Sequence, residues 1–84
     1  MKYEIKIEKR AEKFIRKQQP KQQEKLLRAI NKLPHEGDIK PIEGTNDRFR
    51  LRVGDYRVIF TIDNGKYIVI VIDANNRGQI YKRY

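Results

Sequence analysis

An alternation of apolar residues and arginines around a Gly-Asp pair constrains the fold of this chain more than any other feature. Residues 49–60 read Phe-Arg-Leu-Arg-Val-Gly-Asp-Tyr-Arg-Val-Ile-Phe. A two-residue loop with glycine first is typical of a type II′ turn, whose twist matches that of two antiparallel strands. The sequence therefore predicts a β-hairpin with one apolar core face. The predicted pairs on that face are Val53/Tyr56, Leu51/Val58 and Phe49/Phe60.

The opposite face of the predicted hairpin, here called the arginine face, gathers three guanidinium groups. Arg52 lies across from Arg57, and Arg50 follows beside Ile59. Like charges directly opposite destabilise a sheet, and the hairpin itself places no carboxylate between them. Arginine presents a planar set of donors that matches phosphate oxygens, so a nucleic-acid phosphate is one candidate ligand. The other interpretation is a solvated basic strand whose arginines pair with Asp or Glu from elsewhere in the fold.

Upstream of the hairpin, the apolar period indicates one strand and two helices. Residues 3–7 alternate as a strand does, and from Glu8 the period becomes helical to about Gln18. Pro20 either ends this first helix or begins a second one, which stops before Pro34. The predicted apolar stripe of the second helix is Leu26, Leu27, Ile30 and Leu33. The segment Pro34 to Gly44 is predicted to be a loop.

Downstream of the hairpin, Asn64-Gly65 predicts a type I′ turn into a strand over residues 67–73, apolar on both faces and so central in the sheet. The predicted register pairs Val69 and Val71 with Phe60 and Val58, and puts Ile68, Ile70 and Ile72 on the arginine face across from Thr61, Ile59 and Arg57. Residues 73–78 are expected to turn away from the sheet, and residues 79–84 to form a short edge strand or a frayed tail.

These elements predict one small α+β domain over residues 1–84, in the order β-α-α-β-β-β. The helical hairpin is expected to cover one face of a curved, mainly antiparallel sheet and to leave the arginine face open. A domain of this size buries only about 60% of the surface of its unfolded chain, so there is room for one core.

The charge of the chain favours a polyanionic partner. Lys and Arg outnumber Asp and Glu by 20 to 11, which gives a formal net charge of +9. RNA, DNA, an acidic protein and an anionic membrane surface all fit this charge. No apolar stretch is long enough to span a membrane and no signal-peptide pattern begins the chain, so a cytoplasmic protein is expected.

The inventory of reactive side chains excludes most familiar catalytic systems. The chain has no serine and no cysteine, and its only histidine, His35, stands in the predicted loop, where a surface role is expected. No metal site and no cofactor are therefore predicted. The remaining candidates are the arginine face together with Arg77 and Tyr81. The alternatives for these two are an ion pair between Arg77 and Asp73, and simple edge-strand packing for Tyr81.

Two stretches of the chain resemble the RelE/ParE superfamily of toxins from bacterial and archaeal toxin–antitoxin systems. They are Val-Gly-Asp-Tyr-Arg-Val-Ile-Phe over residues 53–60 and Asn-Arg-Gly-Gln-Ile-Tyr over residues 76–81. The resemblance extends to the length, the helical hairpin and the basic charge, and it favours the RelE-like branch. It implies a ribosome-dependent endoribonuclease that cuts mRNA in the ribosomal A site and is held by a cognate antitoxin.

The resemblance also implies roles for individual residues. Arg57 matches the arginine that stabilises the phosphate, Arg77 the proposed general acid, and Tyr81 the tyrosine that orients or stacks on the RNA. Arg50 and Arg52 stand where the RelE branch often has two lysines, one of them a proposed general base. Arginine stays protonated, so that role does not carry over to Arg50. Asn76 stands where many relatives have histidine, and the general base is therefore not identified.

Three functions follow as hypotheses. The favoured one is metal-independent attack of an RNA 2′-OH on the adjacent phosphate, with Arg52 and Arg57 stabilising the charge that develops and Arg50 contacting the substrate. A ParE-like toxin that poisons DNA gyrase without cutting RNA is the second, and a non-catalytic RNA-binding module is the third. Both toxin hypotheses imply an acidic antitoxin, laid over the Ile68, Ile70 and Ile72 side or over the exposed helices.

Overall fold

The protein folds as two helices packed against one five-stranded sheet, in a computed structural model that describes residues 2–76. The elements are β1 (Glu4–Ile7), α1 (Lys9–Arg16), α2 (Pro20–Ile30), β2 (Asp38–Pro41), β3 (Phe49–Val53), β4 (Tyr56–Asp63) and β5 (Ile68–Asn76). The sheet order is β1-β5-β4-β3-β2, and only the β1–β5 pair is parallel. The predicted α+β class, with a helical hairpin on a mainly antiparallel sheet, is confirmed.

The helical hairpin is joined by a short turn that glutamines hold together. Pro20 occupies the first turn of α2, where its missing N–H costs nothing, so it begins the second helix. The first helix ends at Arg16, slightly before the predicted Gln18. Gln18 instead donates from Nε2 to the carbonyl of Phe14 at 2.9 Å, and Gln23 donates to the carbonyl of Gln18 at 2.8 Å. These side-chain bonds add to the backbone bonds at the end of α1, where the N–H of Lys17 also donates to the carbonyl of Phe14 at 3.2 Å.

The core lies between the helices and the adjacent face of the sheet. Its largest fully buried side chains include Phe60, Leu26, Ile30, Leu51, Val58, Val69 and Val71. The predicted helix stripe is right with one exception, because Leu27 is 38% exposed. Leu33 is buried even though α2 has already ended at Ile30. On the sheet, Leu51, Val58 and Phe60 are buried in this core, so alternation along β3 and β4 predicts this face correctly.

The segment predicted to be a loop contains a strand. Asp38–Pro41 forms β2, which pairs antiparallel with β3 and places Asp38 opposite Arg52. This edge strand is short and exposed, with Ile39 as its one half-buried side chain. Pro41 is tolerated because an edge strand leaves N–H groups unpaired. Such a strand has too little alternation to be predicted, so the element order has one strand more than expected.

The register between β4 and β5 differs from the prediction for two physical reasons. The connecting loop covers residues 64–67, with a positive φ of 55° at Tyr67 and none at Asn64 or Gly65, so the predicted type I′ turn is wrong. Two extra loop residues shift the register by two, which pairs Val69 with Ile62 and keeps it on the core face. An irregularity between Ile59 and Phe60 then shifts the pairing again.

As a consequence, the end of β5 is placed differently from the prediction. Asn75 lies opposite Arg57, the position that the predicted register gives to Ile72, and Asn76 lies opposite Tyr56. The strand continues to Asn76, so this segment does not turn away from the sheet as predicted. β5 is an interior strand, but the sheet order makes β4 the central one.

Candidate functional site

The hairpin between β3 and β4 brings two arginines to directly opposite positions. Its register pairs Arg52 with Arg57 and Val53 with Tyr56, as the sequence predicts. Gly54 has a φ of 58°, which a type II′ turn requires at its first central residue and which favours glycine. Two guanidinium groups are thus anchored on neighbouring strands at the turn end of the arginine face.

Arg57 is the buried member of this pair. It is only 6% exposed, and its Nη1 donates to the carbonyl of Tyr56 at 2.9 Å and to that of Gly54 at 3.3 Å. Both acceptors are neutral backbone groups of the turn, so the charge of Arg57 has no carboxylate partner among residues 2–76. Because both bonds come from Nη1, the rest of the guanidinium can still donate to an anion.

Arg52 is the exposed member of the pair. It makes no ion pair with the described residues, although Asp38 is its neighbour across the β2–β3 pair. Its side chain borders a groove between the hairpin and α2. An exposed arginine beside a buried one on the same face can approach an anionic ligand from the solvent side.

Arg50 behaves differently from the other two arginines. Its Nη2 lies 3.7 Å from Oδ1 of Asp38, and its side chain is 12% exposed. Arg50 thus has an acidic partner from another strand, as the alternative interpretation expects, and its predicted role in substrate binding stays a prediction. The sequence could not supply this partner because Asp38 belongs to the unpredicted β2.

The arginine face also carries a small apolar cluster. Ile59 is fully buried and forms this cluster with Ile42, which follows β2. Ile70 lies opposite Thr61 and is half-buried, as is Ile72. The arginine face is therefore partly covered, whereas the sequence predicts an open one.

Asn75 is a candidate site residue that the sequence reasoning missed. It is the cross-strand neighbour of Arg57 on β5, and it is half-buried. Its Oδ1 accepts a hydrogen bond from the backbone N–H of Asn76 at 2.8 Å, which leaves the side-chain amide as a donor. Only the irregular β4–β5 register puts it there, and no sequence pattern indicates that irregularity.

Asp73 is a buried carboxylate near the same end of β5. It is fully buried opposite Ile59, its Oδ1 accepts from the N–H of Ala74 at 2.9 Å, and its Oδ2 lies 3.8 Å from Nη1 of Arg10. An arginine of α1 is thus one cation near this carboxylate. The predicted alternative, an ion pair between Arg77 and Asp73, involves a residue outside the described ones.

Two further predicted site residues, Arg77 and Tyr81, lie outside the described residues, and their roles stay predictions. The described chain reaches Asn76, beside Tyr56 and next to the hairpin turn.

His35 is exposed, as expected, and its ring packs edge-on against Tyr3 with 5.6 Å between centroids. Within residues 2–76 no three histidines or carboxylates are grouped so as to hold a metal ion. None of the helices described is long and apolar enough to cross a membrane.

The arrangement has a clear chemical capacity. Two guanidinium groups at opposite positions, one of them largely removed from water, can stabilise negative charge that develops on a phosphate. The described part of the site contains no histidine, and arginine is a poor proton acceptor. The site is therefore suited to electrostatic stabilisation more than to base catalysis.

Comparisons with known proteins agree on one family. The family model described as ParE toxin of type II toxin-antitoxin system, parDE, matches residues 5–81. A protein of Methanocaldococcus jannaschii named as toxin RelE1 is 30% identical, over 98% of each chain.

Solved structures give the same result. The archaeal RelE–RelB complex from Pyrococcus horikoshii has a chain 28% identical with a TM-score of 0.79, covering 94% of this chain and 99% of that one. The intact E. coli RelBE complex has a chain 23% identical with a TM-score of 0.73, covering 92% and 98%, and shares the fold. The chain therefore belongs to the RelE/ParE superfamily, and it is a RelE-like toxin of a type II toxin–antitoxin system.

Proposed function

We propose that this toxin is a metal-independent, ribosome-dependent endoribonuclease that cleaves mRNA in the ribosomal A site. The observation that carries the proposal is the cross-strand pair of Arg52 and Arg57, which has no carboxylate partner in the described part of the chain. Two such cations attract a phosphodiester. The superfamily membership supports RNA as the source of that phosphate.

In the proposed reaction the 2′-OH of the RNA loses its proton and its oxygen attacks the adjacent phosphorus. The bond from phosphorus to the 5′ oxygen breaks, leaving a 2′,3′-cyclic phosphate and a 5′-OH. Arg57 and Arg52 stabilise the charge on the pentacoordinate phosphorus, and Arg77 donates the proton to the leaving oxygen. Tyr81 orients the RNA. Solvent water accepts the 2′-OH proton, because arginine is a poor proton acceptor.

Arg50 has a supporting role in this proposal. Its contact with Asp38 leaves it partly neutralised, so it contributes to RNA binding through the electrostatic field of the arginine face. It does not act as a base, because arginine stays protonated. Asn75 adds an amide donor next to Arg57, in a position to contact the ribose or the phosphate.

The proposed protein partner is an acidic antitoxin. Solved relatives include the RelE–RelB complex of Pyrococcus horikoshii and the RelBE complex of E. coli. The net charge of +9 favours an acidic partner. Apolar surface that such a partner can cover includes the half-buried Ile70 and Ile72 on the sheet and Leu27, exposed on α2.

The experiment is primer extension on a reporter mRNA incubated with the purified toxin, with and without ribosomes. We expect cuts that require ribosomes and that disappear in Arg57→Ala. Uncut mRNA in the presence of ribosomes, or unchanged cutting by Arg57→Ala, would contradict the proposal.

A ParE-like action on DNA gyrase is the second candidate, because the family model that matches the chain is that of the ParE toxins. This candidate predicts DNA breaks and intact mRNA after induction in cells. Mapping RNA 5′ ends beside DNA breaks in the same culture separates the two functions.

A further inference from the structure

A stripe of cations on α2 forms a second basic surface. Lys21, Lys25 and Arg28 lie on α2 at helical spacing, and Lys32 follows in the turn after Ile30. Together they line one side of a groove of about 600 Å³ between α2 and β3. Residues spaced three or four apart lie on one helix face, so the three charges on the helix stand about 4.5 to 6 Å apart along its axis. This set is called the α2 stripe below.

The charge of this groove is only partly balanced. Its lining carries five cations, the α2 stripe and Arg52, against the two carboxylates of Glu24 and Glu36. Glu24 pairs with Arg28 one turn along the helix. The three lysines of the stripe are exposed and make no ion pair with the described residues.

The apolar residues in the floor of the groove are almost fully buried. Its floor includes Leu51 and Val53, which are only 1% and 6% exposed because they already pack in the core. An amphipathic peptide would find little apolar surface to bury there. A row of exposed cations fits a polyphosphate backbone, which needs charge and no apolar contact.

The groove is continuous with the arginine face. Arg52 lines the groove and also forms the cross-strand pair with Arg57. Lys25 of α2 lies close to the hairpin turn. Its Nζ is 3.0 Å from the position that a Cβ on Gly54 would occupy. Gly54 also accepts the hydrogen bond of Arg57. A polyanion leaving the arginine face around this turn therefore meets the α2 stripe next.

We propose that the α2 stripe binds the phosphate backbone of RNA outside the cleavage site, without reading its sequence. The inference goes beyond the proposed function, with which it shares RNA as the ligand but not cleavage. Its effect is to anchor the RNA or the RNA-rich target to one side of the arginine face.

The test measures binding of a short fluorescein-labelled oligoadenylate RNA across about 50 to 200 mM salt, with every protein in an Arg57→Ala background. The stripe variant is Lys21→Gln/Lys25→Gln/Lys32→Gln. The matched control is Lys2→Gln/Lys13→Gln/Lys66→Gln, which removes the same charge from exposed lysines elsewhere. Since each phosphate contact contributes about −0.7 to the slope of log affinity against log salt, the stripe variant should lose about 2 from its magnitude.

We expect the control to keep most of its slope and a Lys→Arg version of the stripe to behave like the Arg57→Ala parent. An equal loss in both glutamine variants would overturn the proposal, because net charge alone would then explain binding. An unchanged slope in a folded stripe variant would overturn it too. A stripe variant that binds RNA with unchanged affinity but no longer binds the acidic antitoxin would also overturn the proposal, since the stripe would then contact a protein. Cleavage is not needed for this readout, so a failure of the nuclease proposal leaves the binding result interpretable.

Discussion

The two faces of the sheet come from alternate residues of the same strands, yet they are stabilised in different ways. The helix-covered face buries side chains such as Phe60, Leu51 and Val69 in one continuous core with α1 and α2. Among the described residues, the arginine face buries one small apolar cluster, Ile42 and Ile59, beside the charged Arg57 and Asp73. One face is thus specialised for stability, and the other holds charge that has not been neutralised within the described chain.

The local sequence pattern determines which face of the sheet a side chain lies on, whereas its contacts depend on the tertiary structure. Alternation alone decides that Leu51 points to the core and Arg52 away from it. What each arginine then contacts depends on segments far along the chain or on the turn backbone. Arg50 meets Asp38 of β2, whereas Arg57 meets the carbonyls of Gly54 and Tyr56.

The largest expected effect is loss of the core side chain Phe60. Phe60→Ala should lower the free energy of unfolding by about 3 to 5 kcal/mol, because it leaves a cavity in the helix-covered face. Phe60 is fully buried and its ring stacks on Phe49 at 5.6 Å. Urea denaturation measures the change, with Phe60→Leu as the milder control. A loss below about 1 kcal/mol would break the claim that this face supplies the stability.

Loss of Arg57 should act mainly on activity. Arg57→Ala is expected to slow RNA cleavage by about 10² to 10³, the usual cost of removing one stabilising donor. Its two hydrogen bonds to the turn add a smaller stability cost of about 1 to 3 kcal/mol. Single-turnover cleavage and denaturation measured together separate the two effects. Arg57→Lys keeps the charge but not the planar donor set, so an intermediate rate is expected; full activity of Arg57→Ala would refute the assignment.

The apolar cluster of the arginine face should matter for stability and not for chemistry. Ile59→Val removes one buried methylene opposite Asp73 and beside Ile42, for an expected loss of about 0.5 to 1.5 kcal/mol. The cleavage rate, measured well below the melting temperature, should stay near that of the parent. A large rate loss with unchanged stability would show that the two roles are not separated on this face.

The smallest expected effect concerns the pair of Arg50 and Asp38. Their contact is long at 3.7 Å and Asp38 is half exposed, so Asp38→Asn should change the unfolding free energy by less than about 1 kcal/mol. The same change frees one cation on the arginine face, and RNA affinity at low salt should rise. Binding titrations of Asp38→Asn beside the parent protein measure this, and a fall in affinity would contradict the account.

The parts of the fold that follow local rules could be predicted from the sequence. The hairpin register follows from Gly54-Asp55 and alternation, and the α2 start follows from Pro20. The rest depends on geometry that no local pattern specifies. Asp38–Pro41 is too short and polar to be recognised as a strand, and the run Ile68–Ile72 is apolar on both faces, so it carries no register information.

The candidate site shows the same division. The opposition of Arg52 and Arg57 is a direct consequence of the hairpin and was predictable. The contact of Arg50 with Asp38 and the position of Asn75 beside Arg57 were not, because each depends on a strand pairing that only the folded chain reveals. Predicted roles for Arg77 and Tyr81 await experiments on those residues.

The proposed function requires that the arginine face promotes attack of a 2′-OH on an RNA phosphate. The most direct measurement compares two reporter mRNAs on ribosomes that are identical except for a single 2′-deoxynucleotide at the main cut site. We expect a cut in the all-ribose message, with a 2′,3′-cyclic phosphate and a 5′-OH at its ends, and no cut at the deoxy position. Equal cleavage of both messages, or of neither, would contradict it.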